Sequence, residues 1–323
     1  MKARTYLPQT RRLADRKPSF IPQARDFEIL TAVYDNRFLT TSMLAQLFPP
    51  DHSRKPTEAL RATGRDLAAP STYPRNLVAR LGKLFHHRHL DRLRSSYGGE
   101  LIYALGQGGA DLIRSRQLRL FSEKIDWAEK NRALTQANID HALTVSRFRT
   151  ALTVALRSTP TLTLDRFERE GQHLKAEWRR GGRRAYVYPD AYFMLRDTTR
   201  PDGKDRAHFF LEADRSTMKH STMAEKFERY SELYRERKHT EHFGITSFRV
   251  LTVTKSADRA RGLANTLRDG CDVPDAHRPF FLFLSETDYA TSPANVLATS
   301  WRGADQPEGG PLRALIGSPL PRA

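Results

Sequence analysis

The sequence predicts an α/β chain of the α+β kind, built in two parts, and three observations predict it. Within the first 105 residues, apolar residues recur three times at helical spacing and then give way to a strand, a Gly-Gly turn and a second strand. Beyond residue 160, short apolar runs alternate with helices of period 3.6, the pattern of a small mixed sheet. The length of 323 residues allows about two domains at roughly 150 residues each, and a 39% hydrophobic content lets each bury a core.

Residues 1–24 carry Arg11, Arg12, Arg16 and Lys17 beside Pro18 and Pro22 and hold few apolar residues, so a basic arm, disordered in isolation, is expected there. From Asp26 the stripe Phe27, Leu30, Val33, Tyr34 and Phe38 predicts a first helix, and Thr40 caps a second short one ending near Phe48. A polar insertion with Pro and Asp, 49–71, separates these from a third helix over 73–88, with Pro74 tolerated in its first turn. Leu77, Leu81 and Leu84, with Val78 and Phe85, face inward, while Asn76, Arg80, Lys83 and His87 form an outward stripe without an acid. Leu90 to Leu105 reads as a hairpin turning at Gly98-Gly99. Three helices and a hairpin over 25–120 make a winged helix-turn-helix. Gly106-Gln-Gly-Gly opens a further helix, and a helical connector follows over 121–158, chiefly the helix 138–157. In 159–290 an extended or helical piece (161–168), strands over 186–195, 207–213, 248–254 and 279–285 and helices over 217–237 and 256–267 form the second, α/β domain. Gly303, Pro307, Gly309, Gly310 and Pro319 predict a flexible tail over 302–323.

Charge narrows the partner. Lys and Arg number 54 against 37 Asp and Glu, a formal charge of +17, and residues 1–120 hold 21 of the bases and only 10 of the acids. A polyanion is the partner such a surface attracts, and the N-terminal part should meet phosphate first. In a winged helix the third helix enters the major groove of double-stranded DNA and the hairpin flanks the backbone. Arg80 and Lys83 are therefore the leading contacts, with Arg75, Asn76 and His87 on the same helix and Arg92 and Arg94 on the hairpin. The alternative is a winged helix used for protein contact, its basic stripe merely solvated. Cys271 is the one cysteine, so neither a disulfide nor a zinc cluster of several thiolates forms within the chain. His86, His87 and His89 cluster without thiolate or carboxylate partners at zinc spacing. No run of about 18 apolar residues appears, which argues against a membrane span and for a cytoplasmic protein.

The chemistry-bearing residues fall in the second part. Tyr188-Pro189-Asp190 begins one apolar run, and Phe210-Leu211-Glu212-Ala213-Asp214 ends the next. Alternation along a strand projects Glu212 and Asp214 to one face, where Asp190 at a neighbouring strand end can join them. Three such carboxylates could hold Mg2+ or Mn2+ and activate water at a phosphate, with Lys219 or Lys226 stabilising the developing charge. Lys226 and Tyr230, four apart on the following helix, share a face. Each acid also has a plain structural reading: Glu212 paired with Arg215 or Lys226, Asp214 capping the helix beside Ser216 and Thr217, Asp190 closing a turn after Pro189. His208 and His220 flank the acids.

These residues resemble the replication-relaxation proteins of plasmids and integrative mobile elements. The resemblance rests on Tyr188-Pro189-Asp190, on Phe210 to Thr217, on Lys226 to Tyr230 and on Phe248 to Thr254, and covers roughly residues 25–270. It implies DNA binding in plasmid replication, relaxation or transfer, with a relaxase, a replication initiator or a second copy of the chain as further partners. The second domain is more distantly similar to the PD-(D/E)xK nuclease fold. Pro189-Asp190 matches its first element and Glu212 its second acid, whereas Asp214 stands where that motif has lysine. Asp190, Glu212, Asp214, Lys226 and Tyr230 are then the implied catalytic set, with the three acids as metal ligands. A lysine moved to the helix and an inactive DNA-binding derivative both fit the departure. A DNA-binding protein of a mobile element, a metal-dependent nicking endonuclease and a transcriptional regulator are the three readings that follow.

Overall fold

The computed structural model describes residues 20–49, 74–94, 100–169, 171–180, 182–216 and 218–316. The chain forms two compact units, Met1–Ser146 and Arg147–Ala323.

In the first unit, α1 (Ala24–Asn36) is followed by β1 (Phe38–Thr40), α2 (Thr41–Leu47), α3 (Arg75–His86), β2 (Leu90–Arg94) and β3 (Leu101–Leu105). Gln23 and Asp26 close a capping box at the start of α1. Thr40 caps α2 as expected, its hydroxyl accepting the Met43 N–H at 3.3 Å. The strands form an antiparallel sheet in the order β1-β3-β2. Phe38 therefore belongs to a strand rather than to the stripe of the first helix: Arg37, at φ 66°, ends α1 before it. Leu77, Leu81, Leu84 and Phe85 are buried along α3 as predicted, but Val78, on the first turn at the edge of that stripe, is 41% exposed. The turn 95–99, the insertion 50–73 and the arm through residue 19 lie outside the described residues.

Next come α4 (Gln107–Ser115), α5 (Trp127–Arg132) and α6 (Gln136–Leu156). A Cβ on Gly106 would meet the Arg88 carbonyl oxygen at 2.5 Å, and one on Gly109 the His89 oxygen at 2.1 Å, so glycine is what lets α4 start against the α3–β2 junction. Residues 121–146 of the segment expected as a helical connector pack into this unit, and its last part belongs to the second. Trp127 is buried beside Tyr34 and Phe121. Asn131 donates to Asp91 (2.6 Å) and to the Leu105 carbonyl (2.9 Å) and accepts from Arg37 (2.7 Å). Ile139, Ala142 and Leu143 of α6 complete the core. An aromatic that packs on α1 and an amide that bonds to the sheet cannot be told from helix-surface residues by periodicity alone.

The second unit contains β4 (Leu162–Arg169), the hairpin β5 (Ala176–Arg180) and β6 (Arg183–Val187), β7 (Ala191–Asp197), β8 (Arg206–Asp214), α7 (His220–Arg235), α8 (Lys238–Phe243), β9 (Arg249–Thr254), α9 (Ala257–Gly270), β10 (Phe281–Ser285), α10 (Glu286–Thr291) and β11 (Arg302–Gly303). Six of these strands form a mixed sheet in the order β11-β10-β9-β8-β7-β4. Strands β8, β9 and β10 are parallel neighbours, joined by helices, and the other pairings are antiparallel. Alternation divides the sheet residues between two faces. Phe193 and Phe209 stack at 4.7 Å on one, with Phe148 of α6 beside Phe193. Tyr192, Phe210, Val250 and Phe283 lie on the other, in one core with Phe227 and Tyr230 of α7, Leu263 of α9 and Trp178 of the β5–β6 hairpin.

Two expectations change here. The strand foreseen over 186–195 breaks at Tyr188-Pro189-Asp190, because proline cannot donate to a ladder, and its first part is the second strand of a hairpin. The foreseen tail is ordered through residue 316. Trp301 is fully buried with its indole N–H on the Val296 carbonyl, β11 pairs with β10, and Arg249 donates to the Leu315 carbonyl at 2.7 Å. Gly and Pro set the turns of this segment without loosening it; residues 317–323 lie outside the described residues. Among the described residues no helix is long and apolar enough to cross a membrane.

Candidate functional site

The sheet register builds the acidic site. Because Ala191 pairs with Leu211 across β7 and β8, Asp190 stands opposite Glu212, and directly opposed residues share a face. The Asp190 N–H donates to the Leu211 carbonyl (3.0 Å), and the Asp190 Oδ2 accepts the Ala213 N–H (2.8 Å), fixing this carboxylate at the strand edge. Glu212 lies in the middle of the buried face, 1% exposed. Helix α7 crosses above it and presents Lys226 and Tyr230 one turn apart. The Lys226 ammonium pairs with Glu212 Oε2, and the Tyr230 hydroxyl donates to Oε1 at 2.5 Å.

Burial dominates the electrostatics. Desolvation raises the Glu212 carboxyl from 4.5 to about 7, partly offset by Lys226 and reinforced by Asp190. Burial pulls the Lys226 ammonium down, but Glu212 and Asp190 more than offset it, and its pKa ends above the usual lysine value. Tyr230 is pushed well above the ordinary phenol range by burial and then by Glu212. The hydroxyl therefore stays protonated and serves as a fixed donor.

Asp214 leaves this group. Although it projects to the Glu212 face, it sits two residues further along β8, and Arg259 of α9 takes both its oxygens, at 2.8 and 3.3 Å, while also donating to the Met218 carbonyl at 2.7 Å. The expectation of three converging acids is thus corrected: Asp190, Glu212, Lys226 and Tyr230 come together, and Asp214 is a separate ion pair with a fully buried side chain. Lys219 is the N-cap residue of α7 and makes no capping bond there. Arg259 was missed by sequence reasoning. Its signal was faint, a base three residues after the N-cap Ser256.

A divalent cation needs carboxylate oxygens free to ligate it. Both oxygens of Glu212 already accept protons from the chain, one oxygen of Asp190 caps Ala213, and Asp214 is held by a guanidinium. Among the described residues no three His, Cys, Asp or Glu side chains gather as a metal-holding group. As arranged, these residues suit an internal ammonium, and they do not fit Mg2+ or Mn2+.

On the first unit, the outward residues of α3 divide in two. Arg75 and Asn76 are exposed and Lys83 is half-buried, and among the described residues neither Arg75 nor Lys83 pairs with an acid. Arg80 is engaged elsewhere. Its guanidinium makes a bidentate ion pair with the fully buried Asp26, donates to the Ile21 carbonyl at 2.7 Å and lies over the Phe20 ring at 4.7 Å. The hydrogen bond to Asp26 raises its pKa despite the burial. The expectation that Arg80 leads DNA contact is accordingly revised, since reaching a phosphate would strip Asp26 of its cation. The acid in the first turn of α1 was the available signal. Arg92 lies over the Phe85 ring at 4.5 Å, with Tyr103 also near, and burial lowers its pKa; it packs the hairpin onto α3. His87 stacks on Phe20 at 5.0 Å. The side chain of Arg94 lies outside the described residues.

The family model described as replication-relaxation matches residues 30–247. The chain belongs to the replication-relaxation family. The match begins in α1 and ends just before β9, so it includes Asp190, Glu212, Asp214, Lys226 and Tyr230 but not Arg259. No curated protein and no solved structure matches the chain. Membership carries a role in the replication or relaxation of plasmids or mobile elements.

Proposed function

We propose that this replication-relaxation protein binds double-stranded DNA through a winged helix in its first unit, and that its second unit is a PD-(D/E)xK-like scaffold whose acidic site is closed by its own cations. One observation carries the DNA reading. The order α1, β1, α2, α3, β2, β3, with a three-stranded antiparallel sheet, leaves on α3 an outward row, Arg75, Asn76 and Lys83, with no acid on the helix. A helix presented in this way reaches base edges from the major groove while its cations meet phosphate. The +17 charge of the chain supports the same reading. The test is fluorescence anisotropy of a labelled duplex titrated with the full chain over a range of NaCl. Arg75→Gln and Lys83→Gln should each lower the slope of log K against log salt by about 0.9. A parent protein that fails to bind the duplex at low salt sinks the reading.

A metal-dependent nicking endonuclease is the second reading, favoured by one feature: Asp190 and Glu212 stand opposite each other on neighbouring strands with the Lys226 amine on Glu212, two acids and an amine in one place. Catalysis by that set requires Lys226 and Tyr230 to release Glu212. The closed arrangement supports the scaffold reading over it.

A further inference from the structure

The β5–β6 hairpin carries an unusual charge pattern that neither the sheet nor the acidic site uses. Its sequence, Trp178-Arg-Arg-Gly-Gly-Arg-Arg-Ala-Tyr186, places four arginines around one turn. The register pairs Arg179 with Arg184 and Arg180 with Arg183, each directly across the ribbon. Ala176, Trp178, Ala185 and Val187 are buried in the unit core, so alternation turns Glu177, Arg179, Arg184 and Tyr186 to the opposite side. Both Arg179 and Arg184 are exposed. Glu177 is the one acid on that side of the ribbon, and it is already engaged by Arg184 (2.6 Å) and by Lys175 (2.9 Å). Among the described residues no acid pairs with Arg179. Tyr186 remains 43% exposed between two further cations, Lys175 at 5.3 Å and Arg229 of α7 at 5.4 Å from its ring.

Like charges directly opposite on a ribbon destabilise it; Arg184 has Glu177 as a partner, but folding gives no reason to set Arg179 across from it. A polyanion does. We propose that the outer side of this hairpin is a second DNA contact, one that grips the phosphodiester backbone through Arg179 and Arg184, with Lys175 and Arg229 behind them. The inference rests on the DNA-binding reading of the first unit, and it adds the second unit to the nucleic-acid surface. Phosphate supplies the counter-charge that Arg179 lacks and a second anion for Arg184 beside Glu177, and guanidinium forks bind it bidentately.

The experiment uses the full chain, with labelled duplex and labelled single strand as probes and NaCl as the variable. Arg179→Gln/Arg184→Gln should lower the salt slope on duplex by about 1.8, two contacts at about 0.9 each, and weaken binding at 0.1 M salt by tens of fold (about 10 to 100). Arg179→Lys/Arg184→Lys should keep the parent slope, because charge is retained. Arg179→Gln alone should be no less stable to urea than the parent, since it relieves a like-charge pair. A loss on single strand only, at about 0.7 per contact, supports the contact and assigns it to unpaired DNA. The inference is overturned if the parent binds and Lys83→Gln lowers the slope while Arg179→Gln/Arg184→Gln changes it on neither probe. A parent that binds neither probe overturns this inference and the winged-helix reading together.

Discussion

Replacing Lys226 by Met removes the ammonium that neutralises Glu212 while keeping most of the side-chain volume, and its cost can be worked from the site. In the parent, the Glu212 carboxyl titrates near 7 instead of 4.5. A raised native pKa means that the folded chain holds a proton the unfolded chain has released, so stability falls as pH rises from about 4.5 through about 7. At about 1.4 kcal/mol per unit, that fall amounts to about 3 kcal/mol. Without the ammonium, Glu212 faces only Tyr230 and the opposed Asp190, and its pKa climbs further. Lys226→Met should therefore be more costly at pH 8 than at pH 5, by on the order of 1 kcal/mol, within a total on the order of 3–5 kcal/mol for breaking a buried pair. The assay is urea unfolding at both pH values, followed through Trp178 and Trp301 in a Trp127→Phe background so that the second unit reports alone. Adding Glu212→Gln should recover most of the pH 8 loss, because the amide still accepts from Tyr230 and carries no charge. An equal loss at both pH values, or none at pH 8, would refute the account of Glu212 as a buried carboxylate held by Lys226.

Three further outcomes follow from the same structure. Arg259→Ala leaves the fully buried Asp214 side chain without its cation and should lower unfolding stability by about 3 kcal/mol or more, read by urea midpoint; Asp214→Asn with Arg259→Met should be markedly milder. Arg80→Ala should cost stability, on the order of 3 kcal/mol, since Asp26 loses its partner, and leave the DNA salt slope unchanged, whereas Lys83→Ala should do the reverse, with stability within about 0.5 kcal/mol of the parent. Trp301→Ala, in the segment that closes the sheet beyond β10, should destabilise the second unit by about 3–5 kcal/mol in thermal unfolding, and a loss under 1 kcal/mol would show that the segment is dispensable.

How far the sequence spoke depended on whether a residue's role is local. Helix α3, the Thr40 cap, the β2–β3 hairpin and strand β9 were legible, because periodicity and caps act within a few residues of themselves. That Lys226 and Tyr230 share a helix face, and that Glu212 has Lys226 as a partner, was legible too; that Tyr230 donates to the same acid was not. What escaped were partners distant in sequence. Arg80 and Asp26 are 54 residues apart, and Arg259 and Asp214 are 45 apart, so nothing local separates a guanidinium bound to an internal acid from one facing phosphate. The ordering of 302–316 escaped for the same reason. Arg249 of β9 and strand β10 hold that segment from far back in the sequence, and its glycines and prolines, read alone, look like those of a loose end.

On the function proposed above, this family member holds DNA without cutting it, its second unit keeping Lys226 on the acid that a nuclease would offer to a metal. Supercoiled plasmid incubated with the full chain in Mg2+, in Mn2+ and in chelator, with retention and topology read from one gel, tests it most directly. Retention is expected in all three conditions, with the plasmid still supercoiled after deproteinisation. Nicked or linear product that needs the metal and disappears with Asp190→Ala would contradict it.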